Sequence, residues 1–330
     1  MNKKGIFCIS LDFELMWGGI ELWSSDGYGQ TNIRQVPQVI ERLLLLFEKY
    51  GVHATFGAVG FVMYKDVEDL KRSLPFHIPS YERKECSPYN DGYIEQIDKK
   101  NASLYFAHNL VHKIAQSEGM EIGSHTFSHF YCWEKGQNKL EFKTDIEKSV
   151  EIAQREGFQM DSIIFPRNQV QDEYLSICSE NGYKAYRGCA KKYYKNKTGV
   201  GGLIQKVLRF IDNYLPISGS TSFRYSEIEY HHGMFNIPAS RFLRPFSKRL
   251  SFLENCRVSR IKREIRLAAL KGEIYHIWWH PHNMGCNIDE NFHILEEILR
   301  FYKECHELHG MVSMNMGEIA NYMQSQKNAL

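Results

Sequence analysis

Residues 6–14 read Ile6-Phe7-Cys8-Ile9-Ser10-Leu11-Asp12-Phe13-Glu14, a short apolar run that stops on two acids. The run from 6 to 11 has the length and composition of a buried strand. Pro37 then stands where a helix would begin, and Val39, Ile40, Leu43, Leu44 and Phe47 follow at helical spacing up to a capping Gly51. Residues 52–59 read as a second strand, 104–118 as a helix closed by Gly119, and 121–123 as a third strand. A helix marked by Phe142, Ile146, Val150 and Ala153 ends at Gly157, followed by a strand at 163–165, a helix at 172–180 and a strand at 183–186. The alternation returns with a strand at 274–279, a helix at 289–306, a strand at 311–314 and a helix at 317–323. Repeated strand–helix units imply parallel strands and an α/β fold. About seven of them suit a barrel better than two separate domains; a doubly wound open sheet is the alternative.

Composition agrees. Among 330 residues, 43% are hydrophobic, and 20 Phe, 19 Tyr and 5 Trp can fill a large core. A charged fraction of 24% and a net charge of +2 exclude a disordered chain and give no global field for nucleic acid. No apolar run approaches the ~18 residues of a membrane span. The N-terminal apolar run is cut by Asp12 and Glu14, so it is too short for a secretory h-region, and a cytoplasmic protein is expected. The eight cysteines are scattered and form no CxxC pair, so they read as buried thiols; Cys132 is the exception to watch, being close to His125 and His129.

Two stretches interrupt the rhythm within what is expected to be a single domain spanning 1–330. Residues 64–103 carry Pro75, Pro79 and Pro88 and read as an irregular insertion. Residues 188–272 form a longer, mixed insertion. Within it, 241–271 holds ten basic residues against Glu254 and Glu264. Such a run is either a solvated helix face or a patch for a phosphorylated or membrane-attached substrate.

Side chains capable of chemistry gather at strand ends. Asp12 and Glu14 end the first strand, His125 and His129 follow the third, Arg167 follows the fourth, and His280 ends the strand at 274–279. In a parallel barrel those ends open on one face, where active sites lie. His125 and His129 are four apart, and a helical turn would aim both at one metal ion. With an acid from the first strand they make a set of two histidines and one carboxylate with open positions for water and substrate. The plainer alternative is that the acids cap the next turn and the histidines are satisfied core residues.

At these residues the sequence resembles the polysaccharide deacetylase family, the NodB-homology or carbohydrate esterase family 4 group. The resemblance rests on Ser10-Leu11-Asp12-Phe13-Glu14, Ser124-His125-Thr126-Phe127-Ser128-His129, Phe165-Pro166-Arg167-Asn168 and Ile277-Trp278-Trp279-His280-Pro281. It implies a distorted (β/α)7 barrel that removes acetyl groups from N-acetylated sugars with a divalent metal, Zn2+ foremost and Co2+, Mn2+ or Ni2+ as alternatives. Carried over in order, Asp12 is the general base, Glu14, His125 and His129 hold the metal, Arg167 orients Asp12, and His280 is the general acid. The reverse roles for Asp12 and Glu14 stay open, and His276, His282 and Asn283 compete with His280. Trp17, Trp279 and Asn283 are candidates for substrate contact, though Trp278 and Trp279 would face opposite ways on a strand.

The chain departs from the family pattern in three places. Phe13 separates two acids that are usually adjacent, Pro166 precedes Arg167 where the usual order is the reverse, and the fourth motif has no counterpart within 188–272. The expectation is a sugar N-deacetylase acting on a nucleotide- or lipid-linked precursor of a surface polysaccharide or lipopolysaccharide, with peripheral membrane contact in reach. An N-formyl substrate is a close variant. The contrasting expectation is a catalytically silent carbohydrate-binding protein on the same barrel.

Overall fold

The first strand, β1 (Ile6–Phe13), is buried along its whole length on both faces, as a central strand of a parallel sheet must be. The computed structural model describes residues 3–90, 92–189, 212 and 219–328. Around β1 lie β2 (Ala54–Ala58), β3 (Met120–Ser124), β4 (Ser162–Ile163) and β5 (Ala185–Tyr186) on one side and β9 (Ile274–Trp279) on the other, all parallel. A short β10 (Val312–Ser313) pairs with the start of β1. Beyond β5 come a hairpin of β6 (Tyr230–His231) and β7 (Met234–Asn236), then β8 (Arg241–Phe242) against β9.

The sheet curls until its ends meet. Along residues 237–243, Ile237 and Ala239 donate backbone N–H bonds to Tyr186 and Gly188 beside β5, while Ser240 and Leu243 donate to His276 and Trp278 of β9. One segment thus serves as the closing stave of a distorted (β/α) barrel. It comes from the stretch read as an insertion at 188–272, of which residues 190–211 and 213–218 lie outside the described part.

The outer helices are α1 (Val36–Tyr50), the short α2 (Val67–Lys71), α3 (His108–Ala115), α4 (Lys139–Arg155), α5 (Asp172–Glu180), α6 (Glu254–Lys271), α7 (Ile288–His309) and α8 (Met316–Asn328). Helix α1 carries Pro37 in its first turn and buries Val39, Ile40, Leu43 and Phe47, and Gly51 ends it with a φ of 62° that a side chain would strain. Helix α3 is shorter than the expected 104–118. Residues 102–104 form a separate 3-10 turn, and the Ala107 N–H bonds the Val62 carbonyl before the helix starts.

Of the ten basic residues in 241–271, three do not belong to any surface, while Lys248, Arg249, Arg263 and Arg266 are exposed. Arg241, Arg257 and Arg260 are buried. Arg257 is paired with Glu254 within α6. Arg241 donates to Glu264 at 2.8 Å, and Arg260 reaches both Glu264 and Asp212 at 3.2 Å. These guanidiniums anchor α6 to the closing stave and are not a surface that could grip phosphate. A linear count of charge cannot see that the acids sit one helical turn away. Glu264→Gln would remove the buried carboxylate that Arg241 and Arg260 share, which is expected to cost about 3–5 kcal/mol. Urea unfolding of the variant checks this; a midpoint equal to wild type would show the network to be solvated after all.

Candidate active site

β1 delivers Asp12 and Glu14 to the mouth two residues apart, so both side chains leave the same face of the strand. His125 and His129 follow β3. Their loop is not the helical turn expected: Thr126 and His129 both take positive φ, 62° and 60°. Asp145 of α4 holds that shape. Its buried carboxylate accepts the Phe127 and Ser128 N–H groups at 2.7 and 3.0 Å and the Ser128 hydroxyl at 2.5 Å. Burial lifts its pKa to about 6 against those bonds.

The loop brings two imidazoles onto one oxygen of Glu14. His125 Nε2 stands 3.3 Å and His129 Nε2 3.1 Å from Glu14 Oε2. The other oxygen, Oε1, faces His282 Nε2 at 3.1 Å and His280 Nε2 at 3.6 Å. Burial opposes a charge on Glu14, yet the histidines around it hold its pKa well below the usual carboxylate range. Burial pushes His129 and His282 down, toward the neutral imidazole that binds metal.

A cation fits here. His125 Nδ1 lies 2.8 Å from the Ile164 carbonyl, to which it donates, so neutral His125 presents a bare Nε2 toward Glu14. That buried Nε2 has no hydrogen-bond partner. Two lone pairs facing each other across 3.3 Å repel unless a positive charge lies between them. Glu14, His125 and His129 form one group whose ligand atoms are mutually within 4.8 Å, and Glu14, His280 and His282 form another. Cys132 is buried in the apolar core and belongs to neither.

Asp12 is held differently. Arg187, just past β5 and fully buried, donates through Nη1 to Asp12 Oδ1 at 2.5 Å and through Nη2 to Oδ2 at 2.8 Å. Arg187 also donates to Asn168 Oδ1 and to the Ser10 hydroxyl, and its plane lies 4.2 Å from the Trp278 ring centre. Burial alone would raise the Asp12 pKa; the Arg187 guanidinium brings it below the ordinary value. His280 Nε2 is 3.6 Å from Asp12 Oδ2, and its Nδ1 pairs with Asn283 Oδ1 at 3.0 Å.

The sequence profile of polysaccharide deacetylases matches residues 22–186. The chain belongs to the polysaccharide deacetylase family. No curated protein matches it. Among solved structures it is similar to a Mycobacterium smegmatis protein described as a polysaccharide deacetylase, at 13% identity and TM-score 0.57, covering 98% of this chain and 92% of that one. A Pseudomonas aeruginosa PAO1 protein described as a probable polysaccharide deacetylase gives 12%, 0.52, 97% and 90%. PuuE allantoinase gives 10%, 0.52, 97% and 89%. At such identities the likeness shows the barrel and nothing finer.

Within this member of the family, three expected positions move. Arg167 does not meet Asp12. It sits in left-handed backbone at φ 55°, pairs with Glu21 and lies 4.0 Å over the Tyr131 ring. Arg187 occupies the place by Asp12, and its signal was the same one, a charged residue straight after an apolar strand. Trp17 is core: it is 1% exposed, packs edge-on against Phe61 and Tyr105, and donates its Nε1 proton to the Tyr105 carbonyl. Trp279 is also fully buried and packs against Phe47. Half-buried Trp23 and Tyr28 stack at 4.7 Å beside His282 instead, and Tyr28 Oη lies 2.8 Å from His282 Nδ1. Asn283 touches His280 and Tyr28, as a residue lining the mouth would.

A Cβ on Gly18 would collide with the Glu14 carboxylate. Gly18→Ala should therefore push Glu14 aside and weaken divalent-metal binding at least about tenfold, the scale seen when ligand support is lost. Calorimetric titration checks it; unaltered affinity would mean that Glu14 has room to spare.

His276 of β9 supports the same network, its Nε2 2.8 Å from the Ser10 hydroxyl. Burial, with the charge of Arg187, pushes its pKa from 6.5 down to about 3. The folded state thus resists protonating it. Its contribution to stability is present above pH 6.5 and is lost as pH falls toward 3, a change on the order of a few kcal/mol. His276→Gln should flatten the acid limb of unfolding free energy between pH 7 and 4.5; an unchanged slope would place the acid sensitivity elsewhere.

Proposed function

We propose that this protein is a divalent-metal-dependent N-deacetylase that hydrolyses the acetamide of an N-acetylated sugar. The observation that carries the reading is the bare, buried Nε2 of His125 aimed at the Glu14 carboxylate. Glu14, His125 and His129 would hold the cation, with Zn2+ the best match to two imidazoles and a carboxylate. When bound, the ion supplies Lewis-acid polarisation and a water more acidic than bulk water.

The remaining work falls to the chain. Asp12 takes the proton of the attacking water, and Arg187 keeps it ionised and fixes its plane. Asn283 accepts the Nδ1 proton of His280, leaving Nε2 as the atom that exchanges a proton. With its side chain 22% exposed and Nε2 3.6 Å from both acids, His280 is placed to protonate the departing amine. Trp23 and Tyr28 offer aromatic faces to a sugar ring in place of Trp17 and Trp279. With Arg241, Arg257 and Arg260 turned inward, a phosphate-bearing carrier on the substrate would have to be met by other residues.

The experiment is acetate release from a panel of N-acetylated sugars, free, nucleotide-linked and lipid-linked, read beside bound metal. Asp12→Asn is expected to keep its metal and lose about 10²–10⁴ in kcat. His280→Ala should follow it, while Glu14→Gln should lose metal first and activity with it. Arg167→Ala should leave the Asp12 pairing intact; Arg187→Lys should lower kcat with metal retained. If Asp12→Asn strips the metal and Glu14→Gln keeps it, the two acids exchange roles. Full metal and full activity in all of the Asp12, Glu14 and His280 variants would end the reading.

A further inference from the structure

A second group of ligand atoms lies outside the barrel, on residues the proposed chemistry does not use. His108 and His112 stand four apart on α3, so both imidazoles leave one face of the helix. Glu156, the residue that ends α4, comes across to meet them. His108 Nε2 is 2.8 Å and His112 Nε2 2.9 Å from the same oxygen, Glu156 Oε2. The two rings are 4.6 Å apart.

The carboxylate is prepared for this. Its other oxygen accepts from Arg155 Nε at 2.9 Å, and Arg155 is itself fixed by Asp69 at 3.0 and 3.2 Å. On the far side of His108, Asn109 Oδ1 lies 3.3 Å from Nδ1, where it accepts that proton and leaves Nε2 to face the carboxylate. This is the supporting arrangement of a ligating histidine.

We propose that His108, His112 and Glu156 form a second metal site that takes a borderline divalent transition ion, Zn2+ above all. Two imidazoles and one carboxylate select such an ion over Mg2+ or Ca2+, which favour oxygen ligands alone. Metal–ligand bonds of about 2.0–2.2 Å at tetrahedral angles separate ligand atoms by roughly 3.3–3.5 Å. Each imidazole need retreat only about half an ångström to admit the ion. All three side chains are partly exposed, so a fourth, open position can be filled by water. The ion would tie α3 to the end of α4, two elements that flank β3 and its His125 and His129. Its binding energy would add to the stability of the folded chain by mass action.

The test uses the full chain, stripped by a chelator and titrated with Zn2+ alone, comparing wild type with the His108→Ala/His112→Ala double variant. Wild type is expected to bind one equivalent more than the variant, and to gain thermal stability in micromolar Zn2+ that the variant lacks. Because the readout is a difference of one equivalent, it does not depend on what the Glu14 centre binds. A His231→Ala/His232→Ala variant, altering an exposed adjacent pair, should keep the wild-type stoichiometry. Glu156→Gln, which preserves size and an acceptor oxygen, should lose the extra equivalent with far-ultraviolet circular dichroism unchanged. Equal stoichiometry in wild type and the His108/His112 variant would overturn the proposal, as would loss of an equivalent from the His231/His232 variant.

Discussion

Two carboxylates buried two residues apart at the end of one strand set the terms for the rest of this molecule. Asp12 and Glu14 are 3% and 4% exposed. Their charges repel and have lost water, so each must be answered by positive charge or by donors in fixed places. Asp12 is answered by a single guanidinium in a bidentate pair. Glu14 is answered by four imidazoles drawn from two strand ends. The strained loop at 125–129, the Asp145 bonds that hold it and the absence of a side chain at Gly18 all serve to keep that second set close. The two acids thus sit in unlike surroundings, one facing a guanidinium and the other facing imidazoles.

The division has an energetic side. Arg187 is fully buried and also bonded to Ser10 and Asn168, with Trp278 over its plane. A guanidinium so enclosed has few alternative positions, so the Asp12 carboxylate inherits its rigidity. The histidines around Glu14 lack a comparable anchor on every side: His280 is the most exposed of them. Rigidity therefore falls off from the sheet toward the mouth, where a substrate has to enter and leave.

Much of this was legible in the chain order of residues, and the parts that were not share a cause. The strand read at 6–11 and the helix from Pro37 to Gly51 follow from local spacing, because strand and helix periods act over a few residues, while the grouping of Glu14 with His125 and His129 came from strand order and the family resemblance. The Arg187–Asp12 pair joins positions 175 residues apart, and nothing local distinguishes Arg187 from Arg167, since each follows an apolar strand. Trp17 was read as a mouth residue because it follows the acids, but the chain bends there through Leu15 at φ 49° and the indole enters the core. Arg241 was read as part of a charged surface because its acid, Glu264, lies 23 residues away and linear sequence does not show that the two meet.

The place of the guanidinium beside Asp12 bears on how barrels of this kind are compared. A barrel presents its strand ends as a ring of nearly equivalent sockets around one centre. A guanidinium can reach the same carboxylate from either of two neighbouring sockets, as Arg187 does from beyond β5 while Arg167 turns to Glu21. One chemical arrangement can thus be built from different positions along the chain. Sorting barrels of this kind by the presence of a residue at a motif position would file this one as impaired. Sorting them by what stands beside the carboxylate would not.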